Sequence, residues 1–126
     1  MKEIVKKLND IEREIAIEKG EFILFAFILP EEAAGYWDLL ISAKWADKNR
    51  KTSLEYFIKK LKEKLSDNEL VKISRILFID SNNFEEGLSQ IRGGWEEGEM
   101  EFYGVSVKKA YMIVAPVQTL HFEKVA

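Results

Sequence analysis

Hydrophobic residues at spacings of three and four predict two amphipathic helices. The apolar stripe of the first helix, in the opening 19 residues, consists of Ile4, Val5, Leu8, Ile11 and Ile15. Gly20 follows as a C-terminal cap. The buried face of the second helix, predicted over residues 52–65, consists of Leu54, Phe57, Ile58, Leu61 and Leu65. Residues 66–69 read Ser-Asp-Asn-Glu, a capping box that predicts a further short helix.

Apolar runs without helical spacing predict strands. The run over residues 21–29 is apolar on both faces, which indicates a central strand covered on both sides. Further strands are predicted over residues 37–44, 76–79, 100–103, 107–116 and 119–122. Ser81-Asn82-Asn83 predicts a cap for a short helix that ends near Ile91, before the helix-breaking pair Gly93-Gly94.

The order of these elements predicts the fold class. Strand, helix and strand between residues 37 and 80 predict a right-handed βαβ crossover with parallel strands, and the final strands favour antiparallel pairing. The length of 126 residues is enough for one buried core. We therefore predict a single α/β domain over residues 1–126, with a mixed sheet of four to five strands flanked by helices.

Composition excludes several classes of function. Cysteine is absent, so a thiol nucleophile, a disulfide framework and an iron–sulfur cluster are excluded. His121 is the single histidine, which excludes a two-histidine metal motif. Apolar residues make up 47% and charged residues 33%, as in globular proteins. The longest apolar run, residues 22–30, is too short for a membrane helix. We expect a cytoplasmic location and no membrane association.

Charge is segregated along the chain. Residues 44–64 contain eight Lys/Arg and three Asp/Glu, a net charge of +5, whereas residues 80–101 contain seven Asp/Glu and one Arg, a net charge of −6. We interpret the lysines as the solvated face of an amphipathic helix and do not expect nucleic-acid binding. The opposite signs slightly favour a homodimer.

A tryptophan among carboxylates predicts a binding surface. Trp95, Glu96, Glu97 and Glu99 are expected in an exposed loop, where an aromatic side chain would anchor a partner and the carboxylates would steer its approach. Residue types suited to catalysis are scarce. Our leading hypothesis is therefore a non-catalytic domain that binds a protein partner and needs no cofactor.

The alternative is an enzyme at the carboxyl ends of the two crossover strands, where parallel sheets bind ligands. The residues expected to meet at this rim are Lys44, Asp47, Asp80, Ser81 and Asn82. Carboxylates, a lysine and helix-capping side chains would suit Mg²⁺ or Mn²⁺ together with a phosphate. The reaction predicted for this alternative is metal-dependent hydrolysis or phosphoryl transfer.

One nuclease pattern matches only in part. Nucleases of the restriction-endonuclease type carry an acidic residue and then an acid-x-Lys unit on the following strand. Asp38 and Lys44 resemble its ends, but Ser42 stands where the second acid is required. We therefore interpret Asp38 as a partner in a structural salt bridge.

Overall fold

The computed structural model describes residues 2–32, 34–84, 90–97, 100–102 and 105–116. The helices in this part are α1 (Lys2–Glu18), α2 (Lys44–Asp47), α3 (Arg50–Lys64), α4 (Asp67–Leu70) and a 3-10 helix (Ser81–Asn83). The strands in it are β1 (Leu24–Pro30), β2 (Trp37–Ser42), β3 (Ile73–Phe78), β4 (Gln90–Glu97), β5 (Met100–Phe102) and β6 (Val105–Pro116). No helix among these residues is both long and apolar enough to cross a membrane.

The strands form one mixed sheet in the order β3-β2-β1-β6-β4, and β5 also pairs with β6. β2 and β3 are parallel, and the other pairs are antiparallel. The connection from β2 to β3 contains α2, α3 and α4, because parallel neighbours cannot be joined by a tight turn. At the two ends of the strand order lie β3 and β4.

Each face of the sheet has its own hydrophobic core. The larger core packs α1 and α3 against one face, with Phe22, Phe25 and Phe57 fully buried at its centre. The second face carries Leu24, Ala26 and their neighbours, and Phe84 packs against them. β1 is therefore buried on both faces, which confirms the prediction for the run over residues 21–29.

The α/β class, the mixed sheet and the parallel pair are confirmed. The described part of the chain contains six strands, where four to five were predicted. The capping box is present as predicted: Glu69 donates its N–H to the Ser66 side chain, and Ser66 donates its N–H to the Glu69 side chain. The right-handedness of the crossover stays a prediction.

Two predictions in the acidic segment are wrong. Gln90 and Ile91 lie in β4, opposite Pro116 and Ala115, so no helix ends at Ile91. Residues 95–97 also lie in β4, where a loop was predicted. Pairing with the long strand β6 outweighs the local turn signal of Gly93-Gly94, and the register shifts between Arg92 and Trp95. Residues 85–89 and 119–122 and His121 lie outside the described residues.

Candidate functional site

The two segments predicted to form a rim do meet at the carboxyl ends of β2 and β3. Asp47, at the end of α2, accepts hydrogen bonds from both the backbone N–H and the hydroxyl of Ser81. The N–H distance to the nearer carboxylate oxygen is 3.2 Å. The carboxylate of Asp47 thus joins the short helix after β2 to the chain that follows β3.

Asp80 and Asn82 of the rim are also engaged in structural contacts. Asp80 caps the 3-10 helix, accepting from the N–H of Asn82 at 2.8 Å, and its other oxygen lies 3.8 Å from the Arg50 guanidinium. Lys44 is exposed at the start of α2. Among the described residues no group of three or more metal-ligating side chains lies close enough to hold an ion. The structure brings Asp47 to Ser81 and Asp80 to Asn82, but the carboxylate oxygens of both aspartates serve bridging and capping.

Asp38 forms a salt bridge near the start of β2, at the other end of the strand from this rim. Its carboxylate is buried and accepts two hydrogen bonds from Arg75 on β3, from Nη2 at 2.7 Å and from Nε at 3.3 Å. The hydrogen bond to Asp38 raises the pKa of Arg75. Ser42 is fully buried. The structural interpretation of Asp38 is therefore confirmed.

Glutamates of α1 neutralise part of the positive charge of residues 44–64. Lys60 lies 2.7 Å from Glu18 and 3.4 Å from Glu14, and Lys64 lies 2.8 Å from Glu14. Tyr56 donates a hydrogen bond to Glu18 at 2.5 Å. These hydrogen bonds hold the pKa values of both glutamates below their usual range, with Lys64 the largest cause for Glu14 and Lys60 for Glu18. This network of charges fastens α3 to α1.

The predicted partner-binding residues lie at the opposite end of the strand order from β3. Trp95, Glu96 and Glu97 lie in β4, opposite Met112, Tyr111 and Ala110 of β6 in backbone register. Glu99 lies outside the described residues. Their role in binding a partner stays a prediction, now placed on a strand.

Sequence reasoning missed an apolar groove between α3 and β3. This cavity of about 300 Å³ is lined by Leu54, Ile58, Leu61, Lys62, Leu70, Ile73, Ser74, Arg75 and Ile76. A second hollow of about 480 Å³ shares Ile58 and Lys62 with it, so the concave surface continues along the outer side of α3. Leu54 and Ile58 were assigned to the buried face, yet both are only half-buried.

Among the residues that the structure describes, the strand beside this groove, β3, pairs on one side only, with β2. Ile79 donates its backbone N–H to Ile41 on β2 at 2.7 Å. Because successive residues of a strand direct their main-chain groups to alternate sides, those of Ile76 and Phe78 point away from β2. The carbonyl of Phe78 is occupied, since it accepts from Arg50 at 3.2 Å. Ile76 therefore presents both its N–H and its carbonyl at the edge.

A weak signal of this groove is present in the sequence. The apolar stripe of α3 includes Leu54 and Ile58 beside Phe57 and Leu61, which is wider than one sheet face needs. The free edge has no such signal, because it depends on where β3 lies in the strand order. Comparison of the chain with protein-family models, curated proteins and solved structures finds no match.

Proposed function

We propose that this protein is a non-catalytic binding domain that takes up an extended segment of another protein along β3. The observation that carries the proposal is that, within the described part of the chain, the strand edge at Ile76 is unpaired and an apolar groove lies directly beside it. An added strand gains main-chain hydrogen bonds from the edge, and its alternate side chains gain a pocket. This assigns the binding role to β3, whereas the sequence pointed to residues 95–99.

The size and lining of the groove suit side chains. A volume of about 300 Å³ is at the lower end of small-molecule sites, and six of its lining side chains are aliphatic. One exposed apolar residue follows the groove-lining Leu70 in the chain: Val71 is 66% exposed. Exposed apolar surface of this kind marks interaction sites on proteins.

The geometry disfavours a second copy of this chain as the occupant. In antiparallel two-fold pairing about Ile76, Ser74 of each copy would lie opposite Phe78 of the other. The Ile73–Arg75 stretch contains an irregularity in register, since Ile73 pairs with Trp37 but Arg75 pairs with Asp38. The Phe78 carbonyl is occupied by Arg50. Both flanking pairs would be impaired on each side of the two-fold axis, so a different protein is the better occupant.

A displayed library of random octapeptides, selected against the full chain, tests the proposal. Affinities of the enriched peptides are then compared between the wild type, Ile58→Lys and Ile17→Lys. Ile58 lines the groove, whereas Ile17 is an 86%-exposed isoleucine on α1, so the second variant is a matched control for the same substitution. We expect Ile58→Lys to weaken binding by roughly tenfold or more and Ile17→Lys to leave it unchanged.

Hydrogen exchange at Ile76 gives a readout on the wild type alone. The N–H of Ile76 points away from β2, so a bound strand should slow its exchange. Slow exchange on peptide binding together with sensitivity to Ile58→Lys supports the proposal. A library that gives no binder, or binders equally tight for wild type and Ile58→Lys with unchanged exchange at Ile76, contradicts it.

A further inference from the structure

The charges around β3 indicate which sign of charge the bound segment should carry. Residues 71–79 contain Lys72 and Arg75 and no acidic residue, and Lys62 lies on the wall of the groove. Arg75 is already paired with Asp38, but Lys72 and Lys62 form no ion pair with the residues that the structure describes. The edge and the groove between α3 and β3 therefore carry the positive charge of these two lysines, whereas Glu55 and Glu63 lie in the adjoining hollow on α3. Complementarity of charge at the edge favours an acidic partner.

Arg50 adds a further positive charge near the edge and also occupies one of its main-chain carbonyls. Its guanidinium lies at the carboxyl end of β3, donates to the Phe78 carbonyl at 3.2 Å and stands 3.8 Å from Asp80. The contact with Asp80 is long for an ion pair, the contact with the carbonyl is at the upper end of the ordinary hydrogen-bond range, and the Arg50 side chain is 47% exposed. A carboxylate that meets both nitrogens of a guanidinium at 2.7–2.9 Å makes a stronger, charge-assisted contact.

We propose that the segment bound along β3 is acidic and that one of its carboxylates draws Arg50 away from the Phe78 carbonyl. This inference rests on the proposed function and adds the partner's chemistry to it. Release of the carbonyl gives the added strand a second acceptor, next to the one at Ile76. In the unbound protein, Arg50 covers this acceptor and blunts the edge, as charged residues do on many edge strands.

Two defined peptides test the inference. One is a capped octapeptide of alternating valine and glutamate, and the other has glutamine in place of every glutamate. Both are measured against the full chain, Arg50→Ala and Lys51→Ala, the last being a neighbouring basic residue on the same helix. Arg50→Lys is included because it keeps the charge but loses the planar fork that grips a carboxylate.

The wild type should bind the glutamate peptide about tenfold tighter than the glutamine peptide, as one charge-assisted contact would give. Arg50→Ala should remove most of this preference, Arg50→Lys part of it, and Lys51→Ala none. With Arg50→Ala, the glutamine peptide should bind as well as to the wild type or better, because the Phe78 carbonyl is then free. A loss for both peptides would instead indicate a merely structural role of Arg50.

The outcomes separate the two proposals. Equal affinity of the wild type for both peptides overturns the acidic inference, as does a preference that survives Arg50→Ala. If neither defined peptide binds but library peptides do so in an Ile58-dependent way, the acidic inference fails and the proposed function stands. If the library also gives no groove-dependent binder, the proposed function itself is overturned.

Discussion

Replacing Gly20 with alanine should destabilise the protein more than the same change at Gly35. Both glycines have positive φ, +127° for Gly20 and +89° for Gly35, so an added side chain strains the backbone at either position. Such strain costs about 1–3 kcal/mol. The two sites differ in space: a Cβ at Gly20 would lie 3.2 Å from Trp45 Cδ1, whereas one at Gly35 has no atom within 4 Å.

The extra cost at Gly20 follows from what Trp45 touches. Its ring packs edge-on against Phe22 and Tyr56, with centroid distances of 5.6 Å and 6.4 Å. Aromatic pairs of this kind contribute about 0.5–1.5 kcal/mol each, so a shift of the indole that weakens both costs about 1 kcal/mol. For a chain of this length, that corresponds to a melting temperature about 4 °C lower than that of Gly35→Ala.

Urea denaturation and thermal melting followed by circular dichroism measure both variants. A double-mutant cycle with Trp45→Leu isolates the contact, since leucine removes the atom that the new Cβ meets. In that background Gly20→Ala should lose its extra cost and retain only the backbone strain. Equal destabilisation of the two glycine variants, or an excess that persists without Trp45, would refute the assignment of the excess to the indole.

Three further outcomes are expected. Phe57→Ala should lower the free energy of unfolding by about 3–5 kcal/mol in urea titrations, because Phe57 is fully buried against Phe22. The lowered pKa values of Glu14 and Glu18 give stability that is present above their ordinary value of 4.5 and is lost as the pH falls below it. Replacing both with glutamine should reduce the fall of the melting temperature between pH 5 and pH 3. A double variant whose melting temperature falls as steeply as that of the wild type would contradict this assignment. Burial and the hydrogen bond to Glu18 raise the pKa of Tyr56 to about 12, so Tyr56→Phe should remove a late tyrosinate step from the ultraviolet titration.

Local patterns predicted the helices and strands where the local signal and the tertiary structure agree. The stripe from Ile4 to Ile15 and the capping box at Ser66 are complete within a few residues, and both are present. β4 differs because its strand state comes from antiparallel pairing with β6. Its sequence contains Gly93-Gly94 and offers no apolar alternation, so single-sequence reasoning predicts a break there.

At the rim, the predicted strand topology showed which residues meet but not what their side chains bind. A parallel pair places the residues after β2 and after β3 at the same edge, and Asp47 does contact Ser81. Whether these carboxylates bind a metal ion or accept hydrogen bonds could not be predicted from the sequence, because a carboxylate that can bind a metal can equally accept from a backbone N–H. Here Asp47 and Asp80 each meet main-chain donors.

The proposed site cannot be found by looking for particular residue types in the sequence, and the reason is physical. Its central groups are the main-chain N–H and carbonyl of Ile76, which every residue except proline possesses. What makes them available is the position of β3 at the end of the strand order of the described residues, a property that no local stretch of sequence carries. The proposed role of Arg50 likewise depends on its contact with the Phe78 carbonyl, which lies 28 residues further along the chain. A binding role of this kind therefore becomes visible only once the pairing partners of each strand are known.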